Sequence, residues 1–163
     1  MTRFLALLMC LSLICGSGAA WAQGAQVGFG GIKADPTLPV EVSADELNVN
    51  QTDGSASFTG NVIVGQGEMR LSAQKLLVIY KSEGGIERLE ASGGVTLVSG
   101  PDAAEADRAD YSIDTGVVVM TGNVLLTQGN NALTSQKMTV NLVDGTAKMV
   151  GRVKTILNAK GGE

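Results

Sequence analysis

One short pattern occurs four times along most of this chain. Each copy starts with a small residue and a polar pair, and ends at a glycine followed two positions later by a valine. The starts are Ala44, Ala73, Ala106 and Ser135, which gives periods of 29, 33 and 29 residues. Each valine lies 11 residues before the next start. A register held this strictly predicts that each copy is one supersecondary unit stacked on its neighbours.

Each copy has the pattern of two β-strands joined by a turn. Apolar and polar residues alternate, as in strands with one buried face, and Asp53-Gly54 and Asp144-Gly145 are tight-turn signals. The apolar phase slips by one residue after each small residue, which predicts a bulge that bends the strand pair. We therefore predict an all-β fold, a β-jelly roll whose two opposed, mostly antiparallel sheets form an open, flattened barrel.

The inner face of the second strand in every copy is free of charge. Aromatic residues make up only 4% of the chain, so this face is mainly aliphatic and lacks stacking platforms for sugars or bases. Burying about ten methylenes of an acyl chain there would contribute on the order of 8 kcal/mol before losses. We predict a lipid-binding interior made of Ala56, Phe58, Gly60, Val62, Val64, Leu76, Val78, Leu89, Ala91, Gly93, Val95, Leu97, Tyr111, Val118, Met120, Gly122, Val124, Leu126, Val140 and Met149.

The repeated glycines leave two interpretations open. Gly60, Gly93, Gly122 and Gly151 fall at one level of the predicted sheets. If they face inward, they leave room for a groove along the interior. If they mark bends or close approaches of the backbone, they do not line an interior groove.

The chain divides into four segments. Residues 1–22 have the charged start, short apolar run and Ala20-Trp21-Ala22 ending of a cleaved signal peptide. Residues 23–39 are rich in glycine and alanine, have no sustained period, and are expected to form a flexible lead-in. Residues 40–157 are the predicted β-domain, and residues 158–163 are a short tail.

Most catalytic chemistry lacks its usual residues here. The chain has no histidine, and its only cysteines, Cys10 and Cys15, lie in the signal peptide. Only scattered carboxylates remain, so we expect no enzymatic activity, no metal site and no cofactor. Without Arg3 the formal charge of −4 becomes −5, which argues against nucleic acid as a partner.

Two of the copies resemble a known family. Phe58-Thr-Gly-Asn-Val-Ile-Val-Gly-Gln-Gly67 precedes Leu71-Ser-Ala-Gln-Lys-Leu76, and Met120-Thr-Gly-Asn-Val-Leu-Leu-Thr-Gln-Gly129 precedes Ser135-Gln-Lys-Met138. These segments resemble the organic-solvent-tolerance (OstA-like) family. In length and export signal the chain is most similar to the periplasmic lipopolysaccharide (LPS) bridge member of that family.

The resemblance implies a function. It suggests a periplasmic protein that binds LPS, shelters the acyl chains of lipid A in an apolar interior, and carries LPS from the inner to the outer membrane for outer membrane assembly. It also implies head-to-tail self-association and partners of similar jelly-roll fold at both membranes. The alternatives are a structural β-solenoid polymer of the periplasm and the related inner-membrane bridge component; a β-helix hydrolase would need paired inner carboxylates.

The ends of the domain are predicted to pair with other chains. A jelly roll built from such copies leaves unpaired strand edges, which expose backbone N–H and C=O groups. We expect strand addition at these edges, between copies and with related domains. The edge residues are Val40, Val42, Val153, Thr155 and Leu157.

Overall fold

The computed structural model describes residues 26–28 and 35–157, and this part of the chain contains eleven β-strands and no helix. No segment of the described part could therefore cross a membrane as a helix. The all-β prediction is confirmed. The strands are β1 (Gln26–Gly28), β2 (Glu41–Ser43), β3 (Glu46–Asn50), β4 (Ser55–Gln66), β5 (Met69–Tyr80), β6 (Ile86–Ser99), β7 (Asp102–Ser112), β8 (Val117–Gln128), β9 (Asn131–Asn141), β10 (Thr146–Val150) and β11 (Lys154–Ile156).

All the strands belong to one antiparallel sheet with the order β1-β10-β9-β8-β7-β6-β5-β4-β2. Strand β3 also pairs with β4, and β11 also pairs with β9. The sequence predicted two opposed sheets, whereas the hydrogen-bonded ladder runs without interruption from β2 to β1. A β-solenoid stacks parallel strands, so the antiparallel pairing at every interface also removes that alternative.

Each long strand is bent near its middle by a bulge. The pairing register shifts between Thr59 and Val62, between Ser92 and Val95, and between Thr121 and Val124. These shifts confirm the bulges predicted from the change of apolar phase. At these three register shifts, two successive residues of β4, β6 or β8 have positive φ, for example 80° at Gly60 and 45° at Asn61. Glycine and asparagine adopt this conformation more readily than other residues, which explains their place in the sequence pattern.

The bulges divide the sheet into two walls. The first wall comprises β3, β10 and residues 55–59, 75–80, 86–92, 108–112, 117–121 and 137–141. The second wall comprises β2, β11 and residues 62–66, 69–73, 95–99, 102–106, 124–128 and 131–135. Buried side chains of both walls form a single hydrophobic core. One bent sheet therefore encloses the interior that two sheets were expected to enclose.

A hydrogen bond crosses this interior. The Tyr111 hydroxyl, in the first wall, donates to Oε1 of Gln66, in the second wall, over 2.7 Å. Strands β7 and β4 are not neighbours in the sheet, so this bond joins walls that face each other. The Gln66 amide in turn donates to the Leu38 carbonyl over 3.0 Å, which fixes the segment before β2.

The described part of the predicted lead-in contains one strand. Gln26–Gly28 pairs antiparallel with β10 at the far end of the sheet from β2. A three-residue strand on an edge takes its conformation from its partner, so no periodic pattern in residues 23–39 could indicate it. The predicted signal peptide and tail lie outside the described residues.

Candidate lipid-binding interior

Three continuous rows of side chains line the inner face, and each row takes one side chain from every strand that it crosses. Cross-strand pairing builds them, because residues opposite each other on neighbouring strands point to the same face. No row contains a charged residue. The first wall carries Leu47, Phe58, Leu76, Ala91, Ala109, Met120, Met138 and Met149, and beside them Val49, Ala56, Val78, Leu89, Tyr111, Val118, Val140 and Ala147. The second wall carries Val42, Val64, Leu71, Leu97, Ala104, Leu126, Leu133 and Thr155.

Most of the predicted interior residues lie in the core. Phe58 is half-buried and packs against the core, while the other non-glycine candidates are at most 3% exposed. Those fully buried candidates are Ala56, Val62, Val64, Leu76, Val78, Leu89, Ala91, Val95, Leu97, Tyr111, Val118, Met120, Val124, Leu126, Val140 and Met149.

The glycine candidates are the exception. A Cβ atom built on Gly60 would lie 2.6 Å from the exposed Asp45 carboxylate, and one on Gly93 would lie 2.8 Å from the exposed Gln74 side chain. Gly122 contacts Asp107 in the same way. These glycines therefore mark bends and face polar side chains outside the core, and the interpretation as an inner groove does not hold. Strict alternation places them inward, but two successive positive-φ residues reverse the direction.

Several core residues are not among the predicted interior residues; most lie on β5, β7 and β9, and one, Leu142, directly follows β9. Both walls draw on these strands. They include Met69, Leu71, Ala104, Leu133, Met138 and Leu142.

All four methionines beyond the predicted signal peptide are buried with no exposed surface. Met120, Met138 and Met149 are successive members of one inner row on β8, β9 and β10. Methionine is flexible and unbranched, so it fills irregular spaces and repacks more readily than branched residues. This part of the interior is therefore the part that can repack most readily around a bound molecule.

The first wall of the interior is open at one end of the sheet. In the first inner row Leu47 is 54% exposed, whereas Leu76, two strands further on, is fully buried. Val49 in the second row is 60% exposed. Among the described strands, β3 pairs only with β4, so no second strand of this set shields these side chains. The apolar inner face therefore reaches solvent at β3.

The rim of the second wall carries polar groups. Gln66, Ser99 and Asp102 are buried to 5% exposure or less. The Gln128 amide donates to the Asp102 carboxylate over 3.2 Å, and Tyr111 donates to Gln66. Burial raises the pKa of the Tyr111 phenol, because desolvation disfavours its charged form. Each of these buried polar groups has a partner.

The predicted edge residues lie at both ends of the sheet. Val40 and Val42 are half-buried and pack on the core beside β4. Val153, Thr155 and Leu157 flank or belong to β11, and Leu157 is 70% exposed. Nowhere in the described ranges do three or more acidic side chains gather in the way a metal ion requires.

Comparison with known sequences gives consistent matches. A family model described as LptA/(LptD N-terminal domain) LPS transport protein matches residues 41–146. The chain is 30% identical over 142 residues to an uncharacterized protein of Rhizobium meliloti, a match covering 82% of this chain and 76% of that one. It is 27% identical over 115 residues to the lipopolysaccharide export system protein LptA of Escherichia coli K12. That match covers 66% of this chain and 62% of LptA, less than two thirds of the relative's length.

A solved structure shares the fold. The crystal structure of LptH from Pseudomonas aeruginosa, described as the LptA-homologous periplasmic component of the lipopolysaccharide transport device, superposes with a TM-score of 0.69. The superposition covers 77% of this chain and 99% of LptH at 17% sequence identity. The predicted jelly-roll fold is thereby confirmed. With the family model matching residues 41–146, the chain belongs to the LptA/LptD N-terminal domain family of LPS transport proteins.

Proposed function

We propose that this protein is a periplasmic bridge that binds LPS and carries it from the inner to the outer membrane. The observation that carries the proposal is the uncharged inner face, which runs from the exposed Leu47 to the buried Met149. A carrier of this kind shelters the acyl chains of lipid A between its walls and leaves the polar head group in solvent. The names of LptA and LptH associate relatives with the same transport process.

Acyl chains enter this interior by displacing side chains. The inner rows are filled in the structure, since their members from β5 to β9 are at most 3% exposed. Burial of a chain of about ten methylenes contributes on the order of 8 kcal/mol. The contacts that the displaced side chains lose reduce this gain. Entry at β3 costs least, because Leu47 and Val49 are already exposed. The buried methionines then allow the interior to repack.

Site-specific photo-crosslinking tests the proposal. A photoreactive residue at Phe58, Val95 or Met120 should capture LPS in the periplasm. The matched control is Ser57, the neighbour of Phe58 on β4 whose side chain points to the opposite face; Glu90 serves as a second control. Equal capture from the inner and outer positions would refute lipid binding in the interior.

Copies of the protein stack head to tail through the two ends of the sheet. Strands β10 and β11 flank Gly151 as the two halves of β4 flank Gly60, and β2 and β3 flank Ala44 as the halves of β5 flank Ala73. Within the chain, β4 pairs Ala56 with Val78 and Phe58 with Leu76. The same pairing between copies places Ala147 of one copy opposite Val49 of the next, and Met149 opposite Leu47. Stacking thereby covers the open end of the interior and continues its inner rows.

Two experiments test this docking. Deleting residues 153–163 removes β11 and should leave a folded monomer that no longer binds its outer-membrane partner. Sedimentation with unchanged concentration-dependent association would refute docking through this end. In the second experiment, Leu47→Cys protein is mixed with Met149→Cys protein, because the expected mature chain has no other cysteine. A disulfide-linked dimer should form, whereas Asn48→Cys, on the opposite face, should give none.

A further inference from the structure

Strand β1 pairs with the edge of β10 to which the next copy would add. This edge lies at the opposite end of the sheet from β2 and β3. Gln26 lies opposite Lys148, Val27 opposite Ala147, and Gly28 opposite Thr146. The outer edge of β10 is therefore already paired, over three of its five residues, within a single molecule.

The register of β1 matches that expected for β3 of a second copy. Head-to-tail pairing places Asn48, Val49 and Asn50 opposite Lys148, Ala147 and Thr146, in that order. Strand β1 places Gln26, Val27 and Gly28 opposite the same three residues. Both strands run antiparallel to β10, since successive strands of the sheet alternate in direction. In both segments a side-chain amide precedes a valine, which lies opposite Ala147.

We propose that β1 is an internal substitute for β3 of the next copy, and that it must leave β10 before head-to-tail docking is complete. The proposal rests on the docking described above. It makes assembly a competition between an intramolecular strand and an intermolecular one. At low protein concentration β1 holds the edge and protects an otherwise unpaired strand. At high concentration β3 of another copy displaces it.

The lengths of the two strands favour displacement. Strand β1 offers three residues to β10, whereas β3 offers five and brings the exposed side chains of Leu47 and Val49. Docking buries these side chains against Met149 and Ala147 of the first copy. The second wall remains available throughout, because β11 pairs only with β9 among the described strands. Strand β2 of an incoming copy can therefore pair with β11 before β1 departs.

The first test releases β1. Adjacent residues of a strand point their N–H groups to opposite sides. In the double variant Gln26→Pro/Val27→Pro, one of the two prolines therefore removes an N–H that faces β10. The apparent dissociation constant for self-association should fall by about ten- to hundredfold. Each backbone hydrogen bond between β1 and β10 raises the ratio of occupied to free edge by about two- to tenfold. The apparent affinity falls in proportion to the fraction of molecules whose edge is free. The control Gly30→Pro/Gly31→Pro changes the same stretch of chain outside β1 and should leave the constant unchanged.

The second test locks β1 in place. Opposed residues in antiparallel strands have Cα atoms about 4.5–5.5 Å apart, within the range of a disulfide. Val27→Cys/Ala147→Cys should therefore form an internal disulfide, and the oxidised protein should show association at least about tenfold weaker than its reduced form. Circular dichroism of both forms checks that the sheet is intact.

Sedimentation velocity over a concentration series separates the outcomes. Tighter association of the double-proline variant, together with weaker association of the oxidised pair, supports the substitute strand. Equal association of the wild-type, released and locked proteins refutes it and leaves head-to-tail docking standing. Monomers at every concentration, for the wild-type and the released protein alike, refute the docking itself.

Discussion

The two ends of the sheet differ although the same inner rows pass through both. At β3 the first wall is open, with Leu47 54% and Val49 60% exposed. At β10 the same rows end in Met149 and Ala147, which are at most 1% exposed. In the second wall the exposure of the two ends is reversed: Val42 is half-buried, whereas the residues around β11 are exposed. Each end thus exposes the wall that the other end covers.

This difference follows from which strands have partners. Within the described part of the chain, β3 pairs with β4 alone, whereas β10 lies between β9 and β1. In the second wall, the segment before β2 is fixed by the bond from Gln66 to the Leu38 carbonyl. Exposure at the ends therefore depends on neighbouring strands and not on the hydrophobicity of the residues. Two complementary half-open ends are what continuous stacking of copies requires.

The largest expected effect comes from truncating matched residues at the two ends of one inner row. Met149→Ala should lower the free energy of unfolding by about 2–5 kcal/mol, because it leaves a cavity in a filled core. Leu47→Ala should lower it by less than about 0.5 kcal/mol, since that side chain is already exposed. Urea denaturation at protein concentrations low enough to keep the chain monomeric measures both. Similar losses for the two variants would show that the ends are equally covered in solution.

The bond across the walls gives a smaller effect. Tyr111→Phe leaves Oε1 of the buried Gln66 without its donor, so the free energy of unfolding should fall by about 1–3 kcal/mol. The loss should also loosen the N-terminal end, because Gln66 holds Leu38. Tyr80→Phe is the matched control, since Tyr80 is 43% exposed. Protection of the β2 amides from hydrogen exchange should drop in the first variant and not in the second.

The same tyrosine predicts a pH dependence. Burial raises the pKa of the Tyr111 phenol in the folded state, so the unfolded state loses its proton first as pH rises. The stabilising contribution is complete below the unfolded pKa of about 10 and is lost as pH rises through the folded pKa. Wild-type stability should therefore decline above about pH 10. In Tyr111→Phe this part of the decline should be absent, and an identical decline in both proteins would contradict the assignment.

Much of this architecture could be predicted from the sequence. The apolar alternation identified the inner residues of the second strands, and the turn residues at Asp53-Gly54 and Asp144-Gly145 fall between consecutive strands of the structure. The slip in phase located the bulges. These features are local, because each depends on residues within a few positions of one another.

The features that were missed depend on distant parts of the chain. Strand β1 forms only because β10 offers an edge more than a hundred residues away. Tyr111 and Gln66 are 45 residues apart, and their bond exists only because the sheet bends over itself. Leu47 and Met149 have similar places in the alternation, yet their exposure differs because β10, the strand of Met149, lies between β9 and β1, whereas among the described strands β3 has β4 as its one neighbour. Alternation places the glycines on the wrong face, because it fails where φ turns positive.

The smallest expected effect compares the bulges at the two ends. In the N-terminal bulge Asn61 has φ 45° and its amide donates to the Asp45 carboxylate over 2.8 Å. In the C-terminal bulge the same position holds Arg152, with φ 47°. Asparagine tolerates this conformation, whereas it costs other residues with a Cβ atom about 1–2 kcal/mol.

Arg152→Gly should therefore raise the free energy of unfolding by about 0.5–1 kcal/mol. Relief of the strain exceeds the entropy that glycine adds to the unfolded chain, about 0.5–1 kcal/mol. Asn61→Gly should give no gain, because it relieves little strain and removes the bond to Asp45. Thermal unfolding of the two variants beside the wild type measures the difference. A gain at both positions would show that Asn61 is as strained as Arg152, and that the two ends do not differ in their bends.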